Sequence, residues 1–192
     1  MKLKHILPIL LFVCAVQGAG AAEAVADTLR VYLVGDSTCA TKKLDKQNPE
    51  RGWGHMFQPL FDEAVVVENH ATNGRSTKSF RAEGRWARVC DRLRPGDYVF
   101  IQFGHNDQKI NDSTRYSTPA QYAENLRRYV HEARAKGATP VLLTPIVRRH
   151  FVDGVLTDTH TDYPDAMRRV AAEEGVVLID MEPATREWVA SL

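Results

Sequence analysis

The sequence predicts an α/β fold, a three-layer α/β/α sandwich around a central parallel sheet of about five strands. The first observation is that five short apolar runs alternate with longer segments whose apolar residues have helical spacing. The second is that turns rich in glycine and proline, such as Pro95-Gly96-Asp97, separate these segments. Strands that alternate with helices in this way form parallel sheets joined by right-handed crossovers.

In the first half of the chain, two strands alternate with two helices. Residues 30–34 are predicted to form a strand because the run is β-branched and aromatic, is too short for a helix and stops at Gly35. Residues 52–61 suit a short helix packed on the sheet, and residues 64–69 form the second strand. Thr77 or Ser79 could cap the next helix, which carries apolar residues at helical spacing, namely Ala82, Trp86, Val89 or Cys90, and Leu93.

The second half contains three more strands and three more helices. Residues 98–103 are predicted to form the third strand, and Thr118-Pro119 begins a helix that ends at Gly137. Residues 139–144 form the fourth strand. A long loop at 145–163 leads to the remaining elements, a helix at 164–174, a strand at 176–179 and a helix at 182–192.

Residues 1–22 have the pattern of a secretory signal peptide. A basic start is followed by an apolar run from Ile6 to Val16 and then by small residues up to Ala22. The apolar run is shorter than the roughly 20 residues that a membrane span needs. We therefore expect a secreted or periplasmic protein whose mature form has no membrane segment.

Residues 23–192 are expected to form a single domain, since roughly 170 residues lie within the usual size range. The chain has 25 basic and 24 acidic residues, so its charge does not favour nucleic acid as a partner. A monomer is expected. Export would permit a disulfide between Cys39 and Cys90, but we predict two separate, mostly buried thiols.

Three residues follow the first three predicted strands, namely Ser37, Gly74 and Asn106. The carboxyl ends of parallel strands lie along one edge of a sheet, so these residues could surround one small volume. Ester hydrolysis through a serine needs a nucleophile and hydrogen-bond donors for the oxyanion. The backbone N–H groups of Ser37 and Gly74 and the amide of Asn106 would supply three donors. The alternative is that Asp36-Ser37-Thr38 only caps a following helix.

Three motifs carry a family resemblance: Gly35-Asp-Ser-Thr38, Asn73-Gly-Arg-Ser76 and Phe103-Gly-His-Asn-Asp107. They resemble the first three blocks of the SGNH (GDSL-type) hydrolases, and they are most similar to those of the rhamnogalacturonan acetylesterases. The resemblance implies a flavodoxin-like SGNH hydrolase fold. It also implies an acyl-enzyme mechanism that removes acetyl groups from pectic polysaccharide or oligosaccharide without a metal or organic cofactor.

By the same resemblance, Ser37 is the nucleophile, and Gly74 and Asn106 complete the oxyanion hole. Arg75 is a candidate for binding the carboxylates of galacturonate through charge-assisted hydrogen bonds, with Lys78 and Arg81 as weaker candidates. His105, next to Asn106, is expected to be structural or to face the substrate.

The family's Asp-x-x-His block, which supplies the general base, does not occur in the 192 residues. Asp158-Thr-His160 is the nearest imitation, but its spacing is wrong. We therefore expect a chain that is truncated at its C-terminus and nearly inactive as written. Two alternatives stay open: an SGNH lipase or lysophospholipase, and a non-catalytic carbohydrate-binding protein.

Overall fold

The computed structural model describes residues 28–192 and confirms the central parallel sheet. Its five strands are β1 (Leu29–Gly35), β2 (Val65–Asn69), β3 (Tyr98–Gln102), β4 (Thr139–Leu143) and β7 (Val177–Ile179). They lie in the order β2-β1-β3-β4-β7, and every neighbouring pair is parallel. The predicted signal peptide, residues 1–22, lies outside the described residues.

Helices surround the sheet, and one predicted helix is divided in two. The helices are α1 (Thr77–Ala82), α2 (Arg85–Cys90), α3 (Pro119–Ala135), α4 (Tyr163–Glu174) and α5 (Met181–Ala190). The break between α1 and α2 falls at Gly84, which has a φ of +67°. The prediction of Thr77 or Ser79 as the N-cap is wrong, because Ser76 occupies that position and its hydroxyl accepts a hydrogen bond from the Ser79 N–H at 3.1 Å.

The main core lies on the face of the sheet that α1 to α4 cover. Strand residues such as Val34, Ile101 and Leu142 pack there against fully buried aromatic residues of α1 and α3, including Phe80 and Tyr129. This burial anchors the strands whose carboxyl ends carry the three sequence motifs.

A smaller core lies on the opposite face, where Val31 and Leu33 meet Trp53 and Phe57. The predicted helix within 52–61 is wrong, since the structure has two short 3-10 turns, Trp53–Met56 and Gln58–Leu60. The segment runs close to the turn after β1, because a Cβ on Gly54 would lie 2.7 Å from the Cys39 sulfur.

A small hairpin interrupts the predicted loop at 145–163. Its strands are β5 (Phe151–Val152) and β6 (Val155–Leu156), which pair antiparallel. Asp153 and Gly154 form its turn with positive φ angles of 50° and 78°. An Asp-Gly pair between apolar residues is the sequence signal for such a turn.

Both cysteines in the described part of the chain are free thiols, as predicted. Cys39 is buried, and Cys90 is half-buried. No helix between residues 28 and 192 is long and apolar enough to cross a membrane.

Candidate active site

Ser37 lies in a tight turn immediately after β1. Gly35 packs so closely on β3 that a Cβ there would lie 2.7 Å from the carbonyl oxygen of Gln102. The Asp36 Oδ1 then accepts hydrogen bonds from the backbone N–H and the hydroxyl of Thr38, both at 2.9 Å. These bonds define a tight turn, residues 36–40, which leaves Ser37 half-buried at the carboxyl edge of the sheet. We call it the nucleophile turn, after the predicted role of Ser37. No helix begins here, so the alternative of a helix cap is wrong.

Gly74 and Asn106 lie in two adjacent turns. Gly74 has a φ of +75°, which glycine adopts without the strain that a Cβ would add. Asn106 is buried, and its side-chain NH₂ donates to the Arg75 carbonyl at 2.9 Å. That bond uses one of the two N–H groups of the amide and leaves the second for another acceptor. The bond therefore joins residues 104–108, which we call the oxyanion turn after the predicted role of Asn106, to the Gly74 turn, residues 72–75.

An open cleft of about 470 Å³ lies beside Ser37. It is lined by Ser37, Thr38, Lys42, Glu50, Arg51, Asn73 and Ile146. Residues of the first two sequence motifs therefore meet at one surface, although neither Gly74 nor Asn106 lines the cleft itself. The oxyanion turn reaches the same region through the bond between Asn106 and Arg75.

The carboxylate of Asp107 ties the oxyanion turn to the start of α1. It is completely buried and accepts a hydrogen bond from the Thr77 backbone N–H at 3.0 Å and another from the Thr77 hydroxyl. Burial raises the pKa of Asp107 to about 7, although the bonds from Thr77 act in the opposite direction.

A second buried carboxylate, Asp36, faces His105. The Asp36 Oδ2 and the His105 Nδ1 are 3.6 Å apart, and their side chains are 0% and 12% exposed. Burial alone would raise the pKa of Asp36, but His105 and Thr38 together hold it below its usual value. The ring of His105 packs edge-on against His160 with 4.4 Å between centroids.

The guanidinium of Arg75 already has a carboxylate partner. Its Nε donates to both oxygens of Glu83 at 3.1 and 3.0 Å, and its Nη1 donates to the Asn73 carbonyl. Arg81 likewise donates two hydrogen bonds to Glu132. Substrate binding by Arg75 stays a prediction. A substrate carboxylate would compete with the Glu83 carboxylate for the Arg75 guanidinium.

Two other cations, Lys42 and Arg51, line the cleft at Ser37, and sequence reasoning missed both. The Lys42 Nζ donates to the Asn73 Oδ1 at 2.9 Å. The Arg51 Nη1 donates to the carbonyls of Asn48 and Glu50 at 3.0 and 2.8 Å. The available signal was their position in the polar loop that directly follows Ser37.

No histidine in residues 28–192 makes a hydrogen bond to the Ser37 hydroxyl. His160 is buried, with its Nε2 2.9 Å from the Ile146 carbonyl and its Nδ1 3.1 Å from the Gln108 Oε1. Burial, together with the nearby His105 and Arg148, lowers the pKa of His160 to about 4. The other contacts are Lys42 for His55, Glu68 for His70, Glu174 for His131 and Thr157 for His150. The His105 Nδ1 lies 3.6 Å from the Asp36 Oδ2, beyond hydrogen-bond distance.

The described residues also contain no cluster of three or more histidine, cysteine or acidic side chains that could hold a metal ion.

Curated relatives are similar to most of this chain. The chain is 43% identical over 152 residues to the probable rhamnogalacturonan acetylesterase YesY of Bacillus subtilis, a match that covers 79% of this chain and 69% of the relative. It is also 43% identical over 159 residues to the rhamnogalacturonan acetylesterase RhgT of the same organism, covering 82% of this chain and 67% of the relative.

Solved structures share the fold. The structure of YxiM from Bacillus subtilis matches with a TM-score of 0.76 and 27% identity, covering 85% of this chain. This chain spans only 46% of that structure. The acetylxylan esterase Axe2 from Geobacillus stearothermophilus matches with a TM-score of 0.66 and 20% identity, covering 85% of this chain and 81% of Axe2.

The family model described as the GDSL-like lipase/acylhydrolase family matches residues 33–191. This range contains the nucleophile turn, the Gly74 turn and the oxyanion turn. The chain therefore belongs to the GDSL-like lipase and acylhydrolase family.

Proposed function

We propose that this protein is an exported serine esterase that removes acetyl groups from pectic polysaccharide through an acyl-enzyme. The observation that carries the proposal is the convergence of Ser37, the Gly74 turn and the buried Asn106 amide at one edge of the sheet. The identity to two rhamnogalacturonan acetylesterases supports the substrate class.

In the proposed reaction, the Ser37 oxygen attacks the acetyl carbonyl carbon, and the hydroxyl proton passes to a base. The N–H groups of Ser37 and Gly74 and the amide of Asn106 stabilise the oxyanion. The sugar hydroxyl leaves with a proton, and water then hydrolyses the acetyl-Ser37 ester. In a related serine hydrolase, loss of the histidine lowers turnover about 10⁶-fold, so we expect slow turnover from these 192 residues, which contain no Asp-x-x-His block.

The charge of the cleft supports an acidic polysaccharide as the substrate. Lys42 and Arg51 are held by neutral oxygens rather than by carboxylates. Glu50 is the single acidic residue that lines this cleft. A galacturonate carboxylate beside the acetylated sugar would accept charge-assisted hydrogen bonds from both cations.

The acyl-enzyme can be tested directly by trapping it. We expect 4-nitrophenyl acetate to place one acetyl group on Ser37, detected by peptide mass spectrometry, because its good leaving group reduces the need for a base. Asn106→Ala should slow this acetylation about 100-fold, the usual cost of removing one oxyanion donor. The matched control is Asn111→Ala, which changes an exposed asparagine in a loop.

The same assay separates the alternatives. Acetylation at an unchanged rate in Asn106→Ala, or a faster reaction with the octanoyl ester, would contradict an acetylesterase with this oxyanion hole. The second candidate is a non-catalytic carbohydrate-binding protein. It is favoured because the described histidines contact other groups, such as the Ile146 carbonyl for His160 and Asp36 for His105, rather than the Ser37 hydroxyl. It predicts that acetylated pectic oligosaccharide binds while Ser37 takes no acetyl group.

The role of the two cations has its own test. The double variant Lys42→Gln/Arg51→Gln should weaken binding of acetylated rhamnogalacturonan oligosaccharide about 30-fold, measured by calorimetry, because each of the two charge-assisted bonds contributes about 1 kcal/mol. Binding of the carboxyl-reduced oligosaccharide should not change. Lys109→Gln/Arg149→Gln, which removes two exposed cations elsewhere, is the control. Equal weakening by both double variants would reject a specific role for Lys42 and Arg51.

A further inference from the structure

Two buried polar atoms in residues 28–192 have no hydrogen-bond partner, the Asp36 Oδ2 and the His105 Nδ1. They face each other at 3.6 Å, slightly beyond hydrogen-bond distance. A buried polar atom without a partner is strongly unfavourable, so each is the natural partner of the other. A small rotation of either side chain would complete a hydrogen bond from an imidazole N–H to a carboxylate.

The contact connects two turns of the site. Asp36 directly precedes Ser37, and its other carboxylate oxygen holds Thr38. His105 directly precedes Asn106, whose amide is bound to the Arg75 carbonyl. A bond between Asp36 and His105 would therefore fix the nucleophile turn relative to the oxyanion turn.

The surroundings of His105 keep its ring in place. The Arg148 Nη2 donates to the His105 carbonyl at 3.0 Å, and the His160 ring packs against the His105 ring. His160 is itself held by Gln108 and by the Ile146 carbonyl. The His105 ring is thus confined on the side away from Asp36, and its Nδ1 stays directed at the carboxylate.

We propose that His105 is a positioning residue, which donates its Nδ1–H to Asp36 and thereby sets the placement of the Asn106 amide relative to Ser37. The proposal rests on the proposed function for the roles of Ser37 and Asn106. It gives His105 a task that does not require contact with the substrate.

Nuclear magnetic resonance of the ¹⁵N-labelled full chain tests the contact. We expect the imidazole spectrum of the wild type to show a proton on Nδ1 of His105. In Asp36→Asn the amide oxygen can still accept from Thr38, and the amide NH₂ faces the His105 Nδ1. Because the NH₂ group donates, the Nδ1 should become the acceptor, and the proton of the His105 ring should move to Nε2. A wild-type His105 without a proton on Nδ1 would overturn the proposal.

Positioning is tested by His105→Phe, which keeps a ring against His160 but removes the N–H. Amide hydrogen exchange should become at least tenfold faster in residues 36–40 and 104–108. The rate constant for acetylation of Ser37 should fall about tenfold, with an unchanged dissociation constant for the ester. His70→Phe is the matched control, because it breaks a similar histidine–carboxylate contact, with Glu68 at 3.3 Å, outside these turns.

Each remaining outcome also decides the proposal. Unchanged exchange in both turns of His105→Phe would reject it. If that variant does not fold because Asp36 is left as an unpaired buried charge, the double variant Asp36→Asn/His105→Phe removes the charge and should show the same faster exchange. A wild type that takes no acetyl group on Ser37 would contradict the proposed function, while the spectra and the exchange still decide the contact.

Discussion

The buried carboxyl group of Asp107 makes the stability of this fold depend on pH in an unusual direction. Its pKa is raised to about 7 from an ordinary value of 3.8, mainly by burial. Between these two values the native state binds more protons than the unfolded state. The free energy of unfolding contributed by this group therefore falls as the pH rises from about 4 to about 7, and it is constant above that range.

Asp107→Asn should remove this dependence, because the amide oxygen can still accept from Thr77 but the side chain does not ionise. We expect the stability of the variant relative to the wild type to rise between pH 4 and pH 7 and to level off by pH 8, measured by urea unfolding. His160, whose pKa is lowered to about 4, acts with the opposite sign between about pH 4 and 6.5. His160 is present in both proteins, so its contribution cancels in the difference between their free energies of unfolding. Parallel curves of the free energy of unfolding against pH for the two proteins would contradict the prediction.

At the scale of single residues, much of the candidate site could be predicted from the sequence. Ser37, Gly74 and Asn106 each follow a strand whose apolar run is plain in the sequence. The contact between Asp36 and His105 could not be predicted, because it depends on side-chain directions in two separate turns. The engagement of Arg75 with Glu83 was also missed, since it requires the chain to turn back at the end of α1.

Among the elements, α1 and α3 begin in the same way. Each has a capping box, formed by Ser76 and Ser79 in α1 and by Thr118 and Gln121 in α3. The difference is burial, because Ser76 is fully buried whereas Thr118 is partly exposed. The two caps therefore allow one type of bond to be compared in two environments.

We expect Thr118→Ala to lower the free energy of unfolding by about 1 kcal/mol, the usual cost of losing a cap. Ser76→Ala should cost about 2 kcal/mol, since water cannot replace the bonds to the buried N–H and hydroxyl of Ser79. Chemical unfolding of the two variants and the wild type measures both values. Equal costs would show that burial of the α1 cap is unimportant.

The elements that sequence analysis missed share a physical cause. The helical spacing of Ala82 and Trp86 continues across Gly84 and masks the break between α1 and α2, for which Gly84 itself was the local signal. The two 3-10 turns, Trp53–Met56 and Gln58–Leu60, belong to a segment that packs closely on Cys39 and Ala40. This contact joins separate parts of the chain, so the local sequence does not predict it. By contrast, the five strands of the central sheet were predicted to within one or two residues, because their burial is encoded in continuous apolar runs.

At the scale of the whole molecule, the two free thiols determine how the protein responds to oxidation. Burial raises the pKa of Cys39, and burial also raises the pKa of Cys90 to about 11. At neutral pH both groups are therefore thiols rather than the reactive thiolates.

In a Cys14→Ser background, we expect the native protein to react slowly with Ellman's reagent at pH 8, with the half-buried Cys90 ahead of the buried Cys39. Unfolding should make both thiols react at once, and Cys39→Ser and Cys90→Ser would identify the two phases. A reducing agent should leave the thermal unfolding midpoint unchanged. A midpoint that falls on reduction would reveal a disulfide and contradict the prediction.

The short turns beside β1 also provide an optical probe. The Trp53 indole N–H donates to the Gln102 Oε1 at 2.6 Å, and the Thr38 hydroxyl oxygen lies 2.9 Å from the same atom. A movement of the nucleophile turn therefore changes the polarity around one indole ring. With Trp86 and Trp188 replaced by phenylalanine, the emission wavelength of Trp53 would report the binding of a ligand in the cleft beside Ser37 in real time, without a chromogenic substrate.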